Sequence, residues 1–385
     1  MGRARCKVTA PHLDIEAFAA LCSQDLDLSH YPLASGLEKN VLLYEGDEVR
    51  AGLALASFNQ AIRREFAHVL QHGSGVFVIQ NAFADKSVIE HMNQVFEAIF
   101  AQETGKASGD HFAKAGANGR IWNALQKSAL LNPEAFIDYY KNPLLLLASE
   151  AWLGPHYQLT TQVNVVRPGG QAQAPHRDYH LGFQEPSELA RFPMHAHLMS
   201  AQLTLQGAVA HTDMPLESGP TLLLPFSQQY ELGYFAWRDE TFKQYFAEHA
   251  IQLPLKQGDA LFFNPALFHA AGTNYTSDFH RSANLLQVSS AFGRPMEQLD
   301  RYAMTRAIYP ALREQWASLN GLEREALLYN TCEGYSFPTN LDSDPPLYGL
   351  APQTMQQLTL QALNEGLTVE AFDPQLQQHA QKRQA

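Results

Sequence analysis

The sequence predicts a mainly β fold with flanking α-helices. Between about residues 157 and 290, runs such as YQLTTQVNVVRP, PTLLLP, DALFFN and SANLLQVSS are apolar or alternate apolar with polar residues, and proline or glycine bounds them. This pattern is typical of the strands of a β-sandwich or barrel. On both sides of this region, apolar residues recur at helical spacing. The 385 residues are enough to bury a large core.

The segment before these strands predicts a helix, a strand and a second helix. FNQAIRREFAHVLQHG (58–73) has helical spacing, GVFVIQNAF (75–83) is typical of a strand, and ADKSVIEHMNQVFEAIFAQE (84–103) is amphipathic. Residues 104–120 are small, polar and glycine-rich, which indicates a long loop. NPEAFIDYYKNPLLLLASEAWLG (132–154) predicts one further helix that ends at Gly154.

The later part of the chain adds a strand and returns to helices. HLMSAQLTLQGAV predicts a strand, AMTRAIYPALREQWASL and PQTMQQLTLQALNEGL predict helices, and the Gln-rich tail is expected to fray. We therefore expect an N-terminal extension over 1–60, a central strand-rich domain with a helical insert and a long loop over 61–295, and a C-terminal helical extension over 296–385.

Composition limits the classes of partner. Hydrophobic residues make up 45% and charged residues 17% of the chain, which is typical of a globular protein. The net charge of −12 repels phosphate backbones, so no nucleic-acid partner is expected. No apolar run reaches 18 residues and no signal-peptide core is evident, so we expect no membrane association and a cytoplasmic location. The three cysteines have no CxxC spacing, which argues against a disulfide framework or a thiolate metal site.

A histidine and an aspartate two positions apart indicate a metal site. Pro175 disfavours a helix at His176, so His176 and Asp178 are expected on an extended segment with both side chains on one face. His180 is expected on the same face, farther along. The pair His176 and His180 has zinc-protease spacing, but Arg177 stands where that motif needs glutamate.

Other histidines offer alternative sites. His211 and Asp213 form a second His-x-Asp, which we interpret as part of a solvated loop because a turn follows it. His195 and His197 alternate on a predicted strand and are interpreted as structural. A third ligand near a cation is expected on a later strand. His269 meets this requirement, since Arg281 begins the next strand twelve positions on.

These residues resemble a known family. His176-Arg-Asp178, His269 and Arg281, with GVFVIQNAFAD, AWLGPHYQL and ESGPTLLLPFSQQ, resemble the phytanoyl-CoA dioxygenase-like (PhyH) family of iron(II)/2-oxoglutarate dioxygenases. The resemblance covers roughly residues 60–295. It departs at 226–228, where Phe-Ser-Gln replaces the family's Gly-Ser-His. It implies a double-stranded β-helix, also called a jelly roll, with a cupin-like core.

The resemblance also implies cofactors and a reaction. His176, Asp178 and His269 would bind iron(II) as the catalytic metal, and Arg281 would bind the distal carboxylate of 2-oxoglutarate through its planar fork. Dioxygen is the second cosubstrate. Oxidation of a small-molecule metabolite, by hydroxylation or a related reaction, would release succinate and carbon dioxide.

Supporting residues follow from strand alternation and from position. Gln162 and Asn164 share one face of their predicted strand and are candidate cosubstrate contacts, as is Thr273, four residues after His269. The resemblance implies that the glycine-rich loop after residue 104 is a lid over the mouth of the catalytic domain, 61–295. The candidate substrate contacts lie beside the metal motif and at the end of this lid loop, and they are Tyr179, Arg177, His180, Arg120 and Trp122.

Two other functional hypotheses stay open at this point. A cupin-type metal protein, such as an isomerase or a sensor, would share the histidine-rich barrel but has no need of Arg281. A non-catalytic jelly-roll module would keep the triad for folding only, since fold does not fix function. A homodimer also stays open.

Overall fold

The computed structural model describes residues 11–103, 118–347 and 349–384. Within these ranges the strands form an eight-stranded sheet and a two-stranded sheet. In chain order the strands are β1 (Gly36–Glu38), β2 (Val41–Glu45), β3 (Val76–Gln80), β4 (Asn118–Ile121), β5 (Gln158–Val166), β6 (Thr204–Ala210), β7 (Leu222–Leu224), β8 (Ala260–Phe263), β9 (Phe268–Ala270) and β10 (Arg281–Ser289).

The large sheet has the strand order β1-β2-β3-β8-β6-β10-β5-β4, and β7 pairs with β9 in the small sheet. All pairings are antiparallel except that of β2 with β3. β10 pairs with β5 on one side and with β6 on the other. Because side chains alternate along a strand, one row of β10 faces the small sheet and the other row faces the helices.

The two faces of the large sheet are covered differently. One face packs on helices and contributes Leu286 and Val288 to the largest cluster of buried apolar side chains. The opposite face lies towards the small sheet, where Leu261 and Phe263 of β8 share a smaller cluster with Leu223 of β7. This arrangement of two facing sheets with helices outside confirms the predicted fold class.

Helices surround the sheets. In the described residues the α-helices are α1 (Ile15–Cys22), α2 (Gly46–Gly52), α3 (Ala56–Gln71), α4 (Lys86–Glu103), α5 (Ala124–Leu131), α6 (Pro133–Tyr140), α7 (Pro143–Leu153), α8 (Pro186–Leu189), α9 (Met194–Gln202), α10 (Gly233–Ala236), α11 (Glu240–His249), α12 (Arg301–Gln315), α13 (Gly321–Thr331), α14 (Met355–Asn364) and α15 (Val369–Gln381).

Most of the predicted strands and helices are present, but two assignments were wrong. The segment HAHLMS, predicted as strand, lies in helix α9, where the buried residues His197, Ser200 and Ala201 have i, i+3, i+4 spacing. The helix predicted over 132–154 is two helices, because Pro143 begins α7 and the Asn142 side chain accepts a hydrogen bond from the Leu144 backbone.

Both ends of the described chain pack against the rest of the molecule. β1 and β2, which precede residue 60, belong to the large sheet, and Phe18 of α1 packs with buried residues of β7 and β9. The C-terminal helices share the largest core cluster, and α15 buries Phe372 and Leu376, so the tail predicted to fray is helical through Gln381.

The predicted loop at 104–120 falls mostly outside the described residues, and its last three residues lie in β4. None of the described helices combines the length and the apolar character that crossing a membrane requires.

A buried polar network lies on the helical face of the large sheet. His211, directly after β6, is fully buried, and its ring nitrogens contact the Tyr139 hydroxyl at 2.8 Å and the Asn93 side-chain oxygen at 2.6 Å. Burial lowers the pKa of His211 to about 3. His211 is thus a core residue and not the solvated loop residue that the sequence indicated.

We expect His211 to make folding stability depend on pH. An unfolded chain binds a proton at this imidazole near pH 6.5, whereas the folded chain does so only near pH 3. The stabilisation is therefore complete above about pH 6.5 and is lost as the pH falls, by up to about 1.4 kcal/mol per pH unit. Urea unfolding at pH 7.5, 6 and 5 should show a weaker pH dependence in His211→Gln than in the wild type. The control, exposed His195→Gln, should match the wild type, and equal slopes in all three proteins would contradict the assignment.

Candidate active site

One backbone pairing brings the predicted metal ligands together. His176 lies in the loop after β5 and forms an isolated antiparallel bridge with His269 of β9. The two residues exchange backbone hydrogen bonds of 3.0 and 3.2 Å. Asp178 follows two positions later, and the ligand atoms of the three side chains lie within 4.8 Å of one another. In the described ranges this is the one group of three that could hold a metal ion.

Hydrogen bonds orient both imidazoles towards a common point. Nδ1 of His176 lies 2.9 Å from the Ala174 carbonyl oxygen, and Nδ1 of His269 lies 2.8 Å from the Leu267 carbonyl oxygen. Since a carbonyl only accepts, each Nδ1 carries a proton, and in a neutral ring this leaves the lone pair on Nε2. The Nε2 atoms lie 3.5 Å from the two Asp178 carboxylate oxygens. This is a donor set that suits a divalent metal.

The charges at this site favour a carboxylate between neutral imidazoles. Burial lowers the pKa of the His176 imidazole, which keeps that ring neutral. Burial raises the pKa of Asp178. The interactions with the two histidines and with Gln206 lower it by more, so the pKa lies well below its usual range. Gln206 of β6 donates a hydrogen bond from Nε2 to an Asp178 oxygen. Asp178 is therefore ionised and oriented.

The three ligands line a cavity of about 120 Å³ between the sheets. Both sheets and the segment after β5 supply its walls. The polar lining residues are Arg120, Gln162, Asn164, Gln173, Gln206, Thr221, Arg281 and Gln287, in addition to the three candidate ligands. Arg281, Ala283, Leu285 and Gln287 are alternate residues of β10, so one face of this strand forms the wall.

Arg281 places a buried positive charge in this cavity. The residue is 6% exposed, and its guanidinium donates a hydrogen bond to the Gly219 carbonyl oxygen. Within the described part of the chain, no carboxylate forms an ion pair with it. Burial lowers the pKa of Arg281 to about 10, so it stays charged near neutrality. A buried guanidinium without an acidic partner is suited to bind an anion.

Four buried amides on the cavity wall have unused hydrogen-bonding atoms. Nε2 of Gln162, Oδ1 of Asn164, and Oε1 of Gln206 and of Gln287 have no hydrogen-bond partner within the residues that the structure covers. Such atoms are rare in protein interiors unless a ligand or water satisfies them. The sequence indicated Gln162 and Asn164 but missed Gln206 and Gln287, which lie opposite each other in the β6–β10 pairing.

Arg120 and Trp122 line the cavity, but not from a lid loop. Arg120 belongs to strand β4, is 6% exposed, and lies opposite Asn164 of β5. Its Nη1 donates to Oε1 of Gln162 at 2.8 Å, and its guanidinium carbon lies 5.0 Å from the centre of the Trp122 ring. The sequence NGRI lacks alternation, so this strand was not predicted.

Four other sequence candidates lie away from the cavity wall. Oγ1 of Thr273 accepts a hydrogen bond from the Ala172 backbone, and the buried Tyr179 hydroxyl accepts one from Ser289. His180 begins a short 3-10 helix instead of continuing the extended segment. His197 lies in α9 with its Nε2 3.2 Å from the Leu189 carbonyl oxygen, which supports its interpretation as structural.

Arg177 anchors the segment that carries the metal ligands. Its guanidinium is buried on the side away from the metal cavity, where Nη2 donates to the carbonyl oxygens of Ser227 and Tyr230 at 2.6 and 2.9 Å. Tyr234 and Phe268 lie against its flat faces at 5.2 and 5.3 Å. Arg177 therefore fixes the backbone between His176 and Asp178 and is a positioning residue, not a substrate contact.

The sequence matches the model of a known protein family. The family model for phytanoyl-CoA dioxygenase (PhyH) matches residues 72–283, which is more than half of the chain. The chain belongs to the phytanoyl-CoA dioxygenase family. This membership confirms the predicted resemblance, and the triad has the composition that the resemblance implied for an iron site. The match ends at Ala283, so Gln287 and all C-terminal helices lie beyond it.

Individual relatives are distant. The dioxygenase cdmD of Talaromyces verruculosus is 27% identical over 144 residues, which span 37% of this chain and 42% of that protein. Among solved structures, the α-ketoglutarate-dependent epimerase SnoN from nogalamycin biosynthesis is 17% identical with a TM-score of 0.44, over 61% of this chain and 86% of SnoN. HygX from Streptomyces hygroscopicus, with nickel and 2-oxoglutarate bound, is 14% identical with a TM-score of 0.41, over 62% and 91% of the two chains.

We expect any side chain at position 233 to destabilise this protein. A Cβ atom there would lie 1.8 Å from the guanidinium carbon of Arg177, so Gly233→Ala must displace the anchor. Overpacking of this kind costs about 1–3 kcal/mol of unfolding free energy. In this variant, urea unfolding should give a lower free energy of unfolding and iron(II) titration should give a weaker affinity than in the wild type. Gly321→Ala, where no atom lies within 4 Å of the added Cβ, is the control. Wild-type iron affinity in Gly233→Ala would contradict the anchoring role of Arg177.

Proposed function

We propose that this protein is an iron(II)- and 2-oxoglutarate-dependent oxygenase that hydroxylates, or otherwise oxidises, a small-molecule metabolite. The observation that carries this proposal is the presence, in one cavity, of a metal-competent His-Asp-His group and of the buried Arg281 guanidinium. A metal site alone would fit many proteins. A buried cation without an acidic partner in the described residues adds a place for a carboxylate cosubstrate.

The residues of the triad fit iron(II). Two neutral imidazoles and one carboxylate are the donor set of the facial triad, which leaves open positions for other ligands. His176, Asp178 and His269 would hold the ion through Nε2, a carboxylate oxygen and Nε2. When bound, iron(II) supplies the redox centre at which dioxygen and the oxo-acid react. Gln206 keeps the Asp178 carboxylate oriented, and the two backbone carbonyls keep both imidazoles in the correct tautomer.

Arg281 would bind and orient the distal carboxylate of 2-oxoglutarate. The planar guanidinium offers two parallel donors to a carboxylate, and its position in a buried cavity strengthens the attraction because little water screens it. Gln162 and Asn164 are on the same wall and have unsatisfied amide atoms for the cosubstrate. Thr273 does not line the cavity that contains Arg281, so this role is not assigned to it.

One molecule of dioxygen and one of 2-oxoglutarate would be consumed with the substrate, and succinate and carbon dioxide would be released. One oxygen atom enters succinate, and in a hydroxylation the other is inserted into a C–H bond of the substrate to give a hydroxyl group. The protein's part is to hold the reactants together in the cavity beside the triad. The division into a 61–295 catalytic domain, the cytoplasmic location and the homodimer remain predictions.

Replacement of Asp178 by alanine should abolish the metal–cosubstrate complex. The change removes the one charged ligand, so iron(II) affinity should fall by more than about 100-fold. Anaerobic titration with iron(II) and 2-oxoglutarate should give a visible charge-transfer band in the wild type and none in Asp178→Ala. The control is Asp213→Ala, which removes the acid of the second His-x-Asp sequence. Unchanged succinate production by Asp178→Ala would refute the triad.

Replacement of Arg281 by lysine should weaken 2-oxoglutarate binding about tenfold and leave iron(II) binding nearly unchanged. Lysine keeps the charge but loses one of two parallel hydrogen bonds. The same titration measures both affinities. Arg313→Lys, a change at a guanidinium that donates to the Gly366 carbonyl oxygen, is the control. If the two variants bind 2-oxoglutarate equally well, the cosubstrate lies elsewhere, and a cupin-type metal protein becomes the better hypothesis.

A further inference from the structure

A second concave surface, the apolar groove, adjoins the candidate active site. It has a volume of about 530 Å³ and lies between the 3-10 helix after Asp178, the residues that flank α9 on either side and the segment after β10. Its carbon-rich walls come from Leu181, Phe183, Phe192, Leu203, Phe292 and Met296.

The apolar groove and the metal cavity are adjacent. Phe183 and Met296 line both spaces, so they form the boundary between them. The groove also includes Tyr179, the residue that directly follows the candidate ligand Asp178. The side chains of Phe183 and Met296 are therefore what a molecule in the groove must pass to reach the metal.

The sizes of the two spaces limit where a substrate can lie. The metal cavity has a volume of about 120 Å³, whereas sites for small organic molecules are typically about 300–1,000 Å³. In the proposed function this cavity must also hold 2-oxoglutarate. Only the reacting end of a substrate can then enter it, and the remaining bulk must lie outside. The apolar groove, at about 530 Å³, is an adjoining space of sufficient size, and it shares two residues with the metal cavity.

The groove exposes large apolar side chains to solvent. Phe183 is 48%, Phe192 is 44% and Phe292 is 72% exposed. Contiguous exposed apolar surface of this kind is uncommon on soluble proteins unless it binds something. By contrast, the cavity wall next to the metal has unsatisfied amide oxygens on Gln206 and Gln287. The two spaces therefore suit the two ends of an amphipathic small molecule.

We infer that the apolar groove is the substrate-arm subsite of this enzyme. The substrate class is a small molecule with an aromatic or aliphatic arm, which packs on Phe183, Phe192 and Phe292. Its hydrogen-bonding end reaches past Met296 to Gln206, Gln287 and the metal. This inference rests on the proposed function for the identity of the reacting end, but the groove itself is tested separately below.

The test uses 4-(trifluoromethyl)benzyl alcohol, a probe with an aromatic arm and a hydroxyl end. Its ¹⁹F line width is measured anaerobically with full-length protein and 2-oxoglutarate, loaded with iron(II) or with zinc(II). We expect broader lines on the iron(II) protein, because paramagnetic relaxation acts only near the metal. Phe292→Ala and Phe192→Ala should each weaken probe binding about fivefold or more, since each removes apolar contact area.

The control variant is Phe337→Ala, which removes a phenylalanine of similar exposure, 41%, outside the groove. It should bind the probe as the wild type does. Three outcomes overturn the inference: no probe binding to the wild type up to the probe's solubility, equal binding by groove and control variants, or equal line widths with iron(II) and zinc(II). A fourth does so too. If Phe292→Ala dissociates a dimer in sedimentation without changing probe affinity, a second copy of the chain covers the groove.

The two proposals fail in different ways. A charge-transfer band with iron(II) and 2-oxoglutarate, but no Phe292-dependent probe binding, supports the oxygenase and removes the arm subsite. Phe292-dependent binding without that band supports the groove as a binding site and removes the proposed cosubstrate. Phe192→Ala and Phe292→Ala should keep the wild-type band, because neither phenylalanine lines the metal cavity.

Discussion

The candidate site depends on one backbone pairing, the bridge between His176 and His269. Two reciprocal hydrogen bonds of 3.0 and 3.2 Å join a loop segment to a three-residue strand and place two imidazoles and a carboxylate within 4.8 Å. A pairing this short needs support from its surroundings. Arg177 gives this support, because its buried guanidinium donates hydrogen bonds to the carbonyl oxygens of Ser227 and Tyr230. The metal ligands can therefore be ready before any ion binds, which lowers the entropy cost of binding.

The two faces of the large sheet show how stability and function are separated. On the helical face, His211 and Asn284 both contact the Tyr139 hydroxyl, which compensates part of the cost of their burial. On the cavity face, Arg281 is buried without an acidic partner, and four amides keep atoms with no hydrogen-bond partner, in the described part of the chain. Unsatisfied polar groups lower stability. A ligand bound in the cavity beside the triad would satisfy these four amides.

Charge and apolar surface divide the site into three zones. In the proposed function the triad would hold the metal and Arg281 with Gln162 and Asn164 would bind an anion, whereas the groove beyond Phe183 and Met296 is apolar. This division gives a chemical meaning to the family membership that the family match alone does not provide. It predicts that substrates are selected largely by contacts outside the metal cavity. These contacts come from the segment that follows β10 and from the helical segment between β5 and β6.

Several strands and helices, and the residues that carry the chemistry, can be predicted from the sequence alone. Alternation predicted β5 and β10, helical spacing predicted α3 and α4, and the spacing of His176, Asp178, His269 and Arg281 indicated the triad and the anion site, because short-range periodicity and side-chain chemistry are local properties. The set of residues that line the metal cavity together could be learned only from the tertiary structure. Gln206 and Gln287 meet through strand register, Arg120 enters the cavity from an edge strand, and Tyr179 and Thr273 turn to other partners. Strand alternation fixes which side chains lie together on one face, but only long-range pairing fixes what that face meets.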